Sequence, residues 1–527
     1  QETTRLLVDV TAILSTSSTL GIVDEAFSVP QNFRITASAP SSMSTEQLSW
    51  MHALDAERGA LSDTSVSARA LPLSTPVTTG QLDSIPVSNP EPNVGPQPGT
   101  VNIAAARVPA ARLPTLRGVQ LLDQLALLTR SELGSFVAKY PDSVSALLAK
   151  APAASEVATF WSQTSTSQHR NMVSAAPQVV GALEGIPYSV RNVANRSYLT
   201  TAENRIRSQL AAGVGRAASD ELTKQLHMLG QVRAALAVGD SKNPRSLVSL
   251  GTGGEGRAII IIGDASTADY VDYLIPGMFS DVDTQIVAFA NSSDNIATQQ
   301  QAWIKRLNPG VPASQLPTVA TFAWIGYQTP NIVNVASMQL AREGQVSFTE
   351  SLQGLRAERA ARVTKAADGT VTPGVQPFVA VLAHSYGSTA AMLSLQDDAV
   401  SVDALAIVGS PGSPARSVNQ LNVTNRNVWV GAADTDPVPQ TGIFGSQPLS
   451  AAYGAHRFGV NGVTDPVSQR SLRGAVGHND YFVSGTESLR NMVLIGINRG
   501  DLVLGQDGSA ALSIGKTHAA IPSGPLL

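Results

Sequence analysis

Ser385 stands at the corner of the stretch FVAVLAHSYGSTAAMLSL, residues 378–395, between an apolar, β-branched run and a helix-like pattern. A serine hydroxyl is hardly ionised at neutral pH, so it becomes a nucleophile only beside a general base. Three histidines follow it in the chain: His456, His478 and His518. His478, in AVGHNDY, occupies a polar loop just ahead of an amphipathic run. His456, in GAHRFG, is the weaker alternative, and His518 falls in the C-terminal tail. A carboxylate is needed to orient the imidazole and stabilise its charged form, without itself taking the proton. Asp434 and Asp436 both close the apolar run NVWVGAA, and Asp436 is preferred because it opens an Asp-Pro-Val turn. The chemistry these residues point to is attack of the Ser385 oxygen on an acyl carbon.

Such attack also needs N–H donors where negative charge develops, and losing one such donor costs about 3 kcal/mol of transition-state stabilisation. One is expected from the backbone of Tyr386, directly after the nucleophile. The other is expected from LIPGMFS, where Gly277 permits a turn and Met278, or alternatively Phe279, presents its amide.

These residues must be held by a strand that runs into a sharp turn and then a helix. Small residues are required two positions on either side of the serine, because strand and helix backbones approach closely there. Ala383 and Gly387 meet that need, giving A-x-S-x-G. Ser-x-Gly alone carries little, since Ser513-Ile-Gly515 has it too. The preceding strand and the following helix single out Ser385. On this elbow the chain order of the triad is serine, acid, histidine, the order of Ser385, Asp436 and His478. His384 is expected to point away from the reacting face.

From about residue 257 the chain alternates. RAIIIIGD, VDYLIPGM, TVATFAWIGY, PFVAVLAHS, DALAIVGSPG and NVWVGAADTDPV read as strands. Residues 295–307, 348–364, Tyr386–Leu395 and TESLRNMVLIGINRG read as helices. Strand–helix alternation of this kind builds a mostly parallel, doubly wound α/β sheet buried on both faces. The expected organisation is a partly helical segment over 1–65, with a capping box at Ser44–Gln47, and a Pro/Ser-rich linker or strap over 66–114. A helical region follows over 115–245, then a catalytic domain over 246–505 and a loose tail over 506–527. In the helical region Leu121, Leu125 and Leu128 share a face, Pro141 and Pro152 punctuate, and a stripe runs from Ile206 through Leu210, Leu222, Leu226 and Leu229.

Several motifs resemble sites without the context a site needs. Gly251-Thr-Gly-Gly-Glu-Gly256 matches a dinucleotide fingerprint but precedes a strand, where that motif must open a helix. Ala510–Thr517 is one glycine short of a phosphate loop and has no room for its helix. Asp281 and Asp283, and Asp434 and Asp436, lack the histidines of a metal site and read as turn formers or as the triad acid. No cofactor or metal is expected.

Of 527 residues, 43% are hydrophobic and 14% charged, with a net charge of −4. Nothing there marks a nucleic-acid or anionic-membrane partner. Zero cysteines exclude disulfides, thiolate catalysis and Cys-ligated zinc. Apolar runs such as Ala258–Ile262 are too short to span a bilayer, so no transmembrane segment is expected. Ala, Ser, Thr, Asn and Gln are abundant and Arg exceeds Lys. That composition, with Gln1 suited to the start of a processed chain, reads as an exported protein, secreted or in the cell envelope, of a high-GC bacterium. A cytoplasmic one is the alternative.

Together these stretches resemble an actinobacterial α/β-hydrolase family, serine-hydrolase-like and formerly catalogued as a domain of unknown function. The matching blocks are residues 160–199, GDASTADYVDYLIPGM (263–278), VATFAWIGYQTP (319–330), LAHSYGS (382–388), VGSPG (408–412), DPV (436–438) and GHNDYF (477–482). The likeness covers about 155–500 and leaves out the first 150 residues. It departs at Ala383, where relatives commonly carry glycine. It implies an α/β-hydrolase fold with a helical segment ahead of the sheet, and it supports Ser385, Asp436 and His478 as the triad. It names no substrate. The expected activity is hydrolysis of an ester or other acyl bond of a small molecule or lipid, of the carboxylic-ester hydrolase class. The alternatives are acyl transfer to a cell-envelope acceptor with the same triad, and a non-catalytic partner-binding protein on the same scaffold.

Overall fold

The apolar runs condense into one eight-stranded sheet in the computed structural model, which describes residues 107–237, 243–331, 333–365, 371–509 and 511. The capping box at Ser44–Gln47, the strap up to residue 106, the Ala510–Thr517 motif apart from Ala511, Ser513 and His518 lie outside the described residues.

The strands are β1 (Arg245–Gly251), β2 (Arg257–Ile262), β3 (Tyr270–Ile275), β4 (Val319–Ile325), β5 (Phe378–His384), β6 (Ala404–Val408), β7 (Val428–Gly431) and β8 (His456–Arg457). Their order is β1-β2-β4-β3-β5-β6-β7-β8. β2 runs antiparallel to both its neighbours, and every pairing from β4 onward is parallel. Side chains alternate across the sheet. Val271, Tyr273, Phe322, Val381 and Leu405 meet α10 (Gln339–Ala361) and α11 (Tyr386–Ser394) on one face. Leu274, Leu382 and Ala406 meet α9 (Val282–Leu307) and α13 (Glu487–Gly496) on the other. A short helix, α12 (Val438–Thr441), follows β7.

β1 begins at the boundary expected near 245 and is a strand that the reading of alternation from about 257 left out. It makes Gly251–Gly256 the turn of an antiparallel hairpin, with Gly254 and Gly256 at positive φ. α9 begins well before the run 295–307, because the Asp281 side chain accepts a hydrogen bond from Thr284 N–H (2.9 Å) and caps it. Asp283 faces His227 instead, with Oδ1 2.6 Å from Nδ1. α10 starts earlier than residue 348 and stops at Ala361, after which Val363–Lys365 pairs antiparallel with Val371–Pro373. α13 keeps the amphipathic pattern of its sequence and is nonetheless buried along its whole length. Its polar residues are paired inside: Arg490 with Asp465 (2.8 Å), Glu487 with Gly462 N–H (2.9 Å) and Asn491 with Gly459 O (2.9 Å).

Ahead of the sheet lie α1 (Gly118–Ala126), α2 (Arg130–Lys139), α3 (Pro141–Ala149), α4 (Ala154–Gln163), α5 (Thr166–Ala175), α6 (Pro177–Ala182), α7 (Tyr188–Ala212) and α8 (Arg216–Ala237). Thr129 with Glu132, and Ser165 with Gln168, form capping boxes. Pro141 opens α3, where its missing N–H costs nothing. Leu121, Leu125 and Leu128 are buried against Phe136, Leu147 and Trp161. Gly213, at φ +80, ends α7 and splits the Ile206–Leu229 stripe between two helices. Ile206 and Leu229 still share one cluster, packed with Leu247 and Ile260 of the sheet.

Candidate active site

β5 delivers its last residue, His384, to the C-terminal edge of the sheet, and the chain then turns at Ser385 with φ 51 and ψ −132. This is a sparsely populated conformation for a non-glycine residue. Ser385 N–H donates to Val408 O (3.0 Å), and Ser385 O accepts from Ser388 N–H (2.9 Å) and Ser388 Oγ (2.6 Å). Crowding explains the small neighbours. A Cβ at Gly387 would sit 2.2 Å from Pro276 O, and one at Gly277 would sit 2.6 Å from Ser385 Cβ. The methyl of Ala383 is accommodated in the sheet core beside Ile275 and Ile407.

His478 Nε2 lies 2.7 Å from Ser385 Oγ, and its Nδ1 lies 2.9 and 3.0 Å from the two oxygens of Asp436. A carboxylate only accepts, so Nδ1 carries the proton and Nε2 is free to accept from the serine hydroxyl. All three residues are buried. Asp436 also accepts from Val438 N–H (3.0 Å) and from the Tyr481 hydroxyl (2.6 Å). The alternative acid, Asp434, is exposed, with its N–H on Asn461 Oδ1. The alternative base, His456, lies in β8 with its ring 4.9 Å from that of Trp429.

The loop 276–279 lies directly on the turn at Ser385. Phe279 N–H donates to Pro330 O (3.0 Å), so of that pair Met278 is the amide with no hydrogen-bond acceptor among the described residues. Tyr386 is the first residue of α11, where an N–H has no partner within the helix. Backbone donors so placed at a helix start suit a developing oxyanion.

His384 does not point away from the reacting face. Its Nε2–H donates to the backbone carbonyl of His478 (2.7 Å), and the two rings lie 4.6 Å apart. Burial first, then the neighbouring His478, hold its pKa down at about 3, so the ring is neutral. Sequence reasoning also missed three supports of the site. Gly409, at φ +59, passes so close that a Cβ would lie 2.9 Å from His478 Cε1 and 3.0 Å from Asp436 Oδ2. Thr435 Oγ1 accepts from Gly477 N–H (2.8 Å). Tyr481 reaches Asp436 from three residues beyond the base. Gly409 and Tyr481 stand inside the VGSPG and GHNDYF blocks, which was the one available signal.

Strand order, an antiparallel β2 and a serine turn between β5 and α11 define an α/β-hydrolase fold. Residues 251–446 match a family described as alpha/beta hydrolase, and this match fits an α/β-hydrolase family with mycobacterial relatives. Ser385 and Asp436 fall within the matched segment and His478 lies beyond it. Two uncharacterized proteins of Mycobacterium tuberculosis, from strains CDC 1551 and H37Rv, are each 27% identical over 406 residues, covering 68% of this chain and 57% of theirs. The match thus spans little more than half the length of these curated relatives. Among solved structures, a dienelactone hydrolase from Anabaena variabilis is similar at 13% identity and TM-score 0.22, over 39% of this chain and 83% of its own. An arylesterase is similar at 13% and 0.29, over 57% and 97%. A hyperthermophilic esterase from Pyrobaculum calidifontis is similar at 11% and 0.29, over 56% and 96%.

Proposed function

We propose that this hydrolase cleaves an ester or related acyl bond through Ser385, His478 and Asp436. The observation that carries the reading is the 2.7 Å contact from His478 Nε2 to Ser385 Oγ, with Nδ1 held by a buried carboxylate. His478 takes the hydroxyl proton as Ser385 Oγ bonds to the carbonyl carbon. The N–H groups of Met278 and Tyr386 receive the resulting oxyanion. When the tetrahedral species collapses, the bond to the leaving group breaks and His478 gives that group its proton. A water molecule, deprotonated by the same imidazole, then attacks the acyl-serine, and as that species collapses His478 returns the proton to Ser385 Oγ, releasing the acid and the free enzyme. Asp436 keeps the imidazole in its Nδ1–H tautomer throughout.

An apolar acyl group suits the surroundings. Phe279, Val333, Ile443, Val476 and Val483 are exposed on loops that follow β3, β4 and α12 or flank His478. The loops after β3 and β4 leave the same edge of the sheet as Ser385, and exposed apolar side chains there are open to apolar ligands.

A fluorophosphonate probe tests the reading. The wild-type protein is expected to take up one label, on Ser385, and Ser385→Ala to take up none. Wild-type protein that stays unlabelled, or a label that persists in Ser385→Ala, would overturn it.

A further inference from the structure

We propose that Tyr481 is a positioning residue that acts on the base through Asp436, tuning the basicity of His478 as well as fixing the acid in place. The proposal rests on the serine-hydrolase reading above. Asp436 is fully buried, and among the described residues the hydrogen-bond donors around its carboxylate are His478 Nδ1–H, Val438 N–H and the Tyr481 hydroxyl, while the neutral ring of His384 faces the base from β5. The hydroxyl makes the shortest of these contacts, 2.6 Å to Oδ2, the same oxygen that lies 2.9 Å from His478 Nδ1. Tyr481 is itself fully buried, and its oxygen accepts the N–H of Ala433 at 3.0 Å. The phenol therefore joins the end of the acid-bearing chain segment to the acid's own side chain, and both to the loop that carries the base.

The chemical consequence follows from charge. Each donor to a carboxylate draws negative charge away from the neighbouring imidazole, so the imidazolium is stabilised less. Removing the hydroxyl returns that charge to Asp436, and His478 becomes more basic. The protonated, inactive form then persists to higher pH. The orientation of the carboxylate plane also loosens, which slows attack at pH values where His478 is fully neutral. A role confined to packing would lower the rate without moving its pH dependence.

The test is the pH dependence of the second-order rate of fluorophosphonate labelling, in wild type and Tyr481→Phe, with circular dichroism to check folding. In Tyr481→Phe the plateau rate should fall about tenfold or more, the scale of a lost hydrogen bond to a charged group. The acid limb should move up by about half a pH unit or more. Because Tyr481→Phe leaves the Ala433 N–H without its acceptor, a second protein carries 3-fluorotyrosine at position 481. Its more acidic phenol is a stronger donor, and its acid limb should move down. A limb that stays put in both, or moves the opposite way in either, overturns the role of Tyr481 while the labelled wild type leaves the hydrolase reading standing. A wild type that takes no label overturns both.

Discussion

In the proposed reaction the resting imidazole of His478 must offer Nε2 to the serine, and the Asp436 carboxylate beside Nδ1 holds it that way. Asp436→Asn should break that arrangement. An amide can offer a donor where the carboxylate only accepts, so the productive tautomer is lost. We expect kcat on an ester substrate to fall by about 10³–10⁴ with KM little changed. Asp434→Asn, altering an exposed side chain, should stay within about twofold of wild type, as is usual for surface changes. An equal loss in both variants would remove Asp436 from its assigned place. A second expectation concerns His384. With its pKa down at about 3, it does not charge between pH 4 and 8, so the acid limb of kcat/KM should fall with a slope of one. A slope of two above pH 4 would mean that two histidines titrate together. Chain order and the ends of elements made the meeting of Ser385, Asp436 and His478 legible, because the proposed triad draws each residue from a place where an element stops or starts. The orientation of His384 was not legible. Alternation along β5 places it on the face of Leu382, and that face is covered by the loop that carries His478 and Tyr481, a segment far away in the chain.

Elements bring these side chains together through backbones that approach closely, and the close approaches are where substitution should matter. Gly409 lies on the turn after β6, against both His478 and Asp436. Gly409→Ala puts a methyl where the acid–base pair lies and asks an L-residue to hold φ +59, which costs about 1 kcal/mol or more. We expect ester hydrolysis to drop at least tenfold while the protein remains folded; near-normal activity would mean the pair is less closely held than the geometry implies. Deeper in the sheet, Asp272 of β3 faces α9 and α13, where it accepts from Gln300 Nε2 at 2.8 Å. Burial pushes its pKa up to about 8, against a smaller opposing effect of Gln300. The folded state thus holds a proton that the unfolded chain has released above pH 4. Stability falls as pH rises from about 4 to about 8 and then levels. Asp272→Asn removes that loss, so its gain in stability over wild type should grow from pH 5 to pH 8, reaching a few kcal/mol in urea unfolding. A difference that does not vary with pH would show Asp272 to be charged in the fold. The sequence announced strands and their order of appearance through β-branched runs, yet gave no sign of this buried acid or of the polar interior of α13. Both depend on partners far away in the chain, Gln300 for one and Asp465 for the other.

On the scale of the whole molecule, the question is why a helical segment precedes the sheet at all. β1 is an edge strand, and an edge presents N–H and C=O groups that seek partners. Side chains of α7 supply them. Asn192 Oδ1 accepts from Leu247 N–H (2.9 Å), Asn195 Nδ2 donates to Leu247 O (3.1 Å), and Arg196 donates to Arg245 O (2.8 Å). Beside these bonds Leu199, Ile206, Leu229 and Val232 pack with Leu247, Ile260 and Ile262 in one apolar cluster that crosses the boundary expected near residue 245. Arg191, buried in α7, pairs with Glu184, and Glu184 in turn lies so close to α10 that a Cβ at Gly354 would touch its carboxylate. Helices and sheet with a shared core should unfold together. We therefore expect one transition in urea, seen alike by far-ultraviolet circular dichroism and by loss of fluorophosphonate labelling. Asn195→Ala strips a buried donor from Leu247 O and should cost about 1–3 kcal/mol, and Leu229→Ala about 2–5 kcal/mol. Both should shift the two signals by the same amount. If either substitution lowered the helical signal at denaturant concentrations where labelling persists, the helical segment would be a separate unit and β1 would have to find another cover for its edge.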